Sequence, residues 1–182
     1  MTAMKDALRV EDGTRVAGYA SLFGVPDAGG DVVAPGAYAR SLKRLADARG
    51  RVRMLWQHDP REPIGLWEVA REDARGLWVE GRLLLDVERG REAAALLAAG
   101  AIDGLSIGYR PVRAAKEAGG RRVLQEVDLW EVSLVTFPML ASARAVAGSK
   151  EPARAVAGRE PAQAKHHPLH RALAEARRRI VP

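Results

Sequence analysis

The chain has no cysteine, so neither a disulfide nor a thiolate metal site can hold its fold, and nothing in it points to an oxidising compartment. It also lacks any run of about 18 apolar residues, the length that a bilayer-spanning helix needs. Its opening stretch, MTAMKDALRVEDG, contains no apolar segment of the kind a secretory signal carries. A soluble protein that does not engage a membrane is the expectation. Aromatic residues are few, and their placement says more than their number. All four Trp, both Phe and all three Tyr lie before residue 140, so the large groups that build a core stop there. Net charge is missing from the same stretch. Residues 1–140 carry 20 Lys or Arg against 20 Asp or Glu, and the whole excess of +6 falls in residues 141–182, with 9 against 3. A body without clustered cations is a poor phosphate-binding surface, which argues against specific nucleic-acid binding.

These distributions divide the 182 residues into a domain over 1–140 and a basic Ala/Arg/Pro-rich tail over 141–182. A domain of that size buries roughly two-thirds of its unfolded surface, enough for a core of its own. The tail contains ARAVAG twice, at 143–148 and 153–158, and reads as a flexible segment with a short basic helix over 168–181. His166, His167 and His170 cluster there, but Pro168 interrupts them. Without an ordered scaffold they do not make a metal site, and no metal or cofactor is expected.

Within the body, residues 15–22 read as a strand followed by a Gly/Pro/Asp loop through 35. Tyr38, Leu42 and Leu45 then show the spacing of one helical face, with Pro35 and Gly36 at the start and Gly50 at the end. Residues 51–57 alternate, placing Val52, Met54 and Trp56 on one face of a strand. Residues 64–70 and 76–85 read as a hairpin around EDARG, and 88–99 as an Ala/Leu helix stopped by Gly100. Strands over 104–112, 121–127 and 129–137 complete the set. About six or seven strands and two helices in mixed order predict an α+β, mainly β fold: a β-barrel or strongly curved sheet with flanking helices.

Three positions could together perform hydrolysis by a serine, which needs a hydroxyl, an imidazole to take its proton and a group that fixes the imidazole tautomer. His58 is the one histidine of the body and continues the series Val52, Met54, Trp56 to the rim of the core. A surface-loop histidine is an equally good reading of its position alone. Ser106 lies in GLSIGY, where alternation puts Leu105 and Ile107 on one face and Gly104, Ser106 and Gly108 on the other. Glycines at 104 and 108 would leave a groove in which a substrate backbone can approach the serine, although a bulged strand with an incidental serine fits too. Glu131 interrupts the apolar strand LWEVSLVTF as a candidate third group. Asp59, Asp103 and Asp128 are rivals for that role, and spacing does not decide among them.

Three stretches, MLWQHDPREPIG at 54–65, GLSIGY at 104–109 and DLWEVSLVTFP at 128–138, resemble the prohead protease family of tailed phages, itself similar to the assemblin proteases of herpesviruses. A fourth, FGVPDAGGDVVAPGAYARSL at 23–42, resembles the loop and helix that precede the histidine in that family. The likeness spans roughly residues 14–140 in the family's order, which makes it far more specific than any single motif. It implies His58 as catalytic histidine, Ser106 as nucleophile and Glu131 as the acidic member, where the assemblins use a second histidine. It also implies a herpesvirus-protease-like β-barrel and a serine endopeptidase that works inside the immature capsid in the bacterial cytoplasm. The substrate would be the N-terminal scaffold segment of the major capsid protein, with the chain itself as a second target. Assemblin-like enzymes act as dimers, so the likeness also brings a homodimer into consideration. Whether the particle is a phage or a phage-derived gene transfer particle stays open. One departure is local: Pro138, Met139 and Leu140 stand where family members often have Pro-Ala-Asn. Two other readings compete, a noncatalytic capsid scaffolding protein that binds coat protein through barrel and tail, and a small-molecule esterase with the same chemistry in a deep apolar pocket.

Overall fold

The computed structural model describes residues 14–116 and 120–147. Within them the chain runs β1 (Arg15–Leu22), β2 (Asp31–Val33), α1 (Ala39–Asp47), β3 (Arg53–Trp56), β4 (Asp59–Glu72) and β5 (Gly76–Leu83). It continues through α2 (Glu88–Ala98), β6 (Gly104–Lys116), β7 (Arg122–Val135) and β8 (Ala145–Ala147). All eight strands belong to one mixed sheet in the order β2-β7-β3-β4-β5-β1-β8, with β6 also paired to β7. The mainly β fold with two helices matches the expectation from alternation, and the six strands longer than three residues are those anticipated, with two adjustments.

The first adjustment concerns residues 121–137, where two strands were expected and one runs through. Asp128 lies inside β7 because Arg44 and Arg110 both pair with its carboxylate, so a charge that looked like a break is neutralised in place. The second concerns DPREP, expected as a loop, which forms the start of β4. Pro60 and Pro63 are tolerated there because the β3–β4 ladder is irregular, shifting register on both sides of Leu55. The two strands that sequence alternation missed, β2 and β8, have three residues each, too few to show a period.

The inner face of the sheet carries the core, with Val16, Met54, Ile64, Leu77, Leu105 and Leu134 all buried. Each such side chain contributes about 1.5–3 kcal/mol relative to an exposed one. Trp67 lies in the same layer and donates its indole N–H to the Val132 carbonyl at 3.0 Å, which satisfies its one polar atom. Helix α1 packs Leu42 and Leu45 against this core beside the fully buried Tyr38, the face its spacing predicts. Its start is held by Glu72, whose carboxylate accepts from the backbone N–H of Gly36 and of Tyr38 and complements the positive end of the helix. Ser41, buried on α1, accepts the Leu129 N–H at 2.9 Å, and Arg40 and Arg44 pair with Glu126 and Asp128. The helix is thereby fixed to β7 just before Glu131 and Ser133.

Residues 143–147 join two sides of the sheet. On one side β8 runs antiparallel to β1, with Ala145 opposite Gly18. On the other, Gly104 bridges to Arg144, Leu105 donates to the Ala143 carbonyl at 2.9 Å and Ala145 donates to Asp103 at 2.6 Å. Gly18 is required at this seam because any Cβ there would overlap the Arg144 carbonyl. The folded body therefore passes the boundary expected at residue 140: Ala143 and Ala145 are buried, and the first ARAVAG contributes its strand. Small residues that read as linker composition are what this narrow space admits. The second ARAVAG, the expected helix over 168–181 and the three tail histidines lie outside the described residues. Among the described residues no helix is long and apolar enough to cross a membrane.

Candidate active site

His58 stands in a turn whose backbone is unusual for its sequence. Trp56 at the end of β3 pairs with Asp59 at the start of β4, leaving Gln57 and His58 as a two-residue connection. Both have positive φ, 51° and 65°, the pattern of a type I′ hairpin turn that Asn-Gly normally supplies. Each non-glycine residue there costs about 1–2 kcal/mol, and the surroundings hold the pair in place. Gln57 donates its backbone N–H to Leu134 at 3.0 Å and its side-chain amide to Thr136 Oγ1 at 2.8 Å, while Thr136 N–H returns to Gln57 Oε1 at 3.2 Å. The backbone N–H of His58 donates to Ser133 Oγ at 3.1 Å. The left-handed turn thus ends the inward alternation that was expected to carry on from Trp56 to His58, and leaves the imidazole 21% exposed.

The parallel pairing of β3 with β7 brings the acid beside this turn, with Arg53 opposite Glu131 and Leu55 opposite Ser133. Glu131 Oε1 lies 2.5 Å from His58 Nδ1, and Oε2 accepts the Ser133 hydroxyl at 2.5 Å. A carboxylate on Nδ1 fixes the tautomer with its proton on that nitrogen, leaving Nε2 to accept. The Glu131 side chain is only 9% exposed, so water does little to screen this pair. The rival carboxylates are engaged elsewhere. Asp59 holds Arg61, whose hydrogen bonds keep the Asp59 carboxyl below the usual range, Asp103 pairs with Arg144, and Asp128 pairs with Arg44 and Arg110. Of the four acids the sequence left open, Glu131 is the one that meets His58.

Ser106 reaches the same place through β6. In the antiparallel β6–β7 ladder it lies directly opposite Ser133, and Gly108 lies opposite Glu131. Directly paired residues share a face, so Ser106 stands on the face that carries the acid, while Leu105 and Ile107 turn to the core. The serine is 3% exposed and its Oγ has no hydrogen-bond partner among the described residues. The hydrogen bond from serine to histidine is therefore not made in this state, as happens when such contacts tighten only with substrate bound. Ser133, fully buried within the apolar run of β7, is the member of this cluster that alternation missed; its signal is a second polar side chain two positions from the acid, on the same strand face.

The two glycines expected to open a substrate groove also have a local packing reason. A Cβ on Gly104 would overlap the Val135 carbonyl and Pro138, and one on Gly108 would overlap the Glu131 carboxylate. The chain's own groups fill both spaces. At Gly108 the overlapping group is the far end of a side chain, so an added methyl displaces the acid rather than the fold. Gly108→Ala is expected to keep its melting temperature within a few degrees while hydrolysis falls on the order of 10²-fold, the scale for misplacing a catalytic group by about 1 Å. Thermal denaturation alongside a rate assay checks both halves. Among the described residues no group of three or more His, Asp or Glu side chains is arranged to hold a metal ion.

Over 127 residues the chain is 33% identical to the prohead protease of Enterobacteria phage HK97, covering 66% of this chain and 54% of that protein. It thus spans about half the length of its curated relative. The bacteriophage T4 capsid assembly protease shares the fold at a TM-score of 0.55 and 14% identity, over 66% of this chain and 81% of that one. KSHV protease, solved with a hexapeptide phosphonate inhibitor, aligns at a TM-score of 0.47 and 15% identity, over 75% of this chain and 65% of its own. The family described as caudovirus prohead serine protease matches residues 3–155, and the chain belongs to that family.

Proposed function

We propose that the protein is a serine endopeptidase of capsid maturation, with Ser106 as nucleophile, His58 as general base and Glu131 as the group that orients and charge-compensates the histidine. The observation that carries this reading is the contact between His58 Nδ1 and Glu131 Oε1, with Ser106 in register on the same strand face. In the reaction, Ser106 Oγ attacks the peptide carbonyl carbon as its proton passes to His58 Nε2. The C–N bond then breaks, His58 returns the proton to the leaving amine, and water hydrolyses the acyl-enzyme by the same route in reverse. The Glu131 carboxylate stabilises the imidazolium formed in both halves. The substrate we assign is the scaffold segment of the major capsid protein inside the immature capsid, with the chain's own tail as a second target. That assignment rests on the family and on relatives named for prohead and capsid assembly.

A fluorophosphonate probe tests the site without knowledge of the cleavage sequence, because it forms an Oγ–P bond with an activated serine and releases fluoride. One adduct per chain, mapped to Ser106, is expected, together with capsid-protein fragments on coexpression. Absence of both under capsid-assembling conditions would leave the noncatalytic scaffolding reading, which the buried Ser106 hydroxyl, unpartnered among the described residues, also accommodates.

A further inference from the structure

The hydroxyl of Ser133 has one proton and is fully buried. It gives that proton to Glu131 Oε2 at 2.5 Å and accepts the backbone N–H of His58 at 3.1 Å. One oxygen thus touches both the acid's side chain and the main chain of the histidine that the acid serves. The two contacts close a loop: Glu131 Oε1 on the imidazole, Glu131 Oε2 on Ser133, and Ser133 on the backbone that bears the imidazole. We propose that Ser133 is a positioning residue of the hydrolytic site, locking the carboxylate rotamer to the left-handed turn at His58. This rests on the triad reading above.

The geometry favours this over a serine that merely satisfies a turn. The turn is already attached to the end of β7 through Leu134 and Thr136, by three hydrogen bonds that do not involve Ser133. Removing the hydroxyl leaves those bonds in place. What it takes away is the donor on Oε2 and the acceptor of the His58 backbone N–H, and a buried carboxylate oxygen without its donor turns toward whatever donor it can find. The donors left beside it are the imidazole N–H and the released His58 backbone N–H, so the acid would be free to exchange its two oxygens at Nδ1 and to tilt the ring. The turn gives up one of its four hydrogen bonds to this edge and keeps three, so the larger loss falls on the alignment of Nε2 with Ser106.

The test measures the rate at which a fluorophosphonate modifies Ser106 in the full chain, for wild type, Ser133→Ala, Glu131→Gln and the double variant. Ser133→Ala is expected to slow modification by about 10- to 10²-fold through the bond-forming step, with reagent affinity unchanged. In the Glu131→Gln background the same change should cost less than about threefold, since a residue acting through Glu131 has nothing left to position. Equal losses in both backgrounds would mark a purely structural serine and overturn the proposal, as would a Ser133→Ala rate within twofold of wild type. Should Ser133→Ala fail to fold, Ser133→Cys carries the test, because the thiol fills the same place as a weaker donor. A partial slowing supports the proposal and a wild-type rate sinks it. A wild-type chain unmodified at Ser106 takes down the triad reading and this one together, whereas a labelled wild type with an undiminished Ser133→Ala sinks this one alone.

Discussion

Ser106→Ala should leave a protein that folds as well as wild type and cuts nothing. Loss of a triad serine lowers turnover on the order of 10⁶-fold, because neither the imidazole nor the acid has any other nucleophile to activate. The stability side of the expectation comes from burial. The Ser106 hydroxyl is enclosed without a partner among the described residues, and an unpaired buried polar group costs about 1–3 kcal/mol. Replacing it with a methyl hydrogen removes that cost, so the melting temperature should hold or rise. Intact mass over time, for each protein alone and coexpressed with its capsid protein, provides the readout. Discrete fragments in wild type that vanish in the variant are the expected pair of traces; fragments that persist in Ser106→Ala would assign the cleavage to another residue or another protein.

Glu131→Gln is expected to cost about 10⁴-fold, the scale for replacing the acid of such a triad by its amide. The amide is nearly the same shape, so the Gly108 contact and the fold survive. Its chemistry is wrong in two ways: it carries no charge to compensate an imidazolium, and its NH2 can face Nδ1, which then holds the opposite tautomer. Asp59→Asn makes the fitting comparison, since Asp59 neighbours His58 in sequence yet spends its carboxylate on Arg61. That variant should stay within about threefold of wild type. Parallel phosphonylation rates decide the matter, and a Glu131→Gln chain that reacts within tenfold of wild type would remove the acid from the mechanism.

The sequence carried the three candidate positions and every strand but the two three-residue ones because each leaves a local mark. Ser106 between two glycines, the lone histidine of the body and an acid inside an apolar run are all visible in a line of text. What could not be read were relations between strands. Choosing Glu131 over Asp59, Asp103 and Asp128 depended on knowing which guanidinium each rival meets, and Arg44, Arg61, Arg110 and Arg144 are brought to them by α1, β4, β6 and the seam. The turn at Gln57 and His58 escaped notice because it lacks the glycine or asparagine that usually marks positive φ. Ser133 hid in a run of apolar neighbours, and Ala143 and Ala145 passed for linker because alanine is equally at home in a loop and in a crowded seam. Gly104 and Gly108 show the same limit: the sequence marks them as small, and only the fold shows that Pro138 and Glu131 lie against them.

The left-handed backbone at His58 bears on how such a protein would change over generations. On folding stability alone, glycine is the better occupant of a position with φ of 65°, and asparagine the next best. A copy of this chain released from any demand for hydrolysis would be drawn by ordinary mutation toward one of those residues and would become sturdier as it lost its imidazole. Keeping histidine there requires a pressure that acts on something other than the fold. The position therefore works as a gauge of use: drift at residue 58 toward a comfortable backbone would be an early mark of a lineage in which the proposed hydrolysis is no longer under selection.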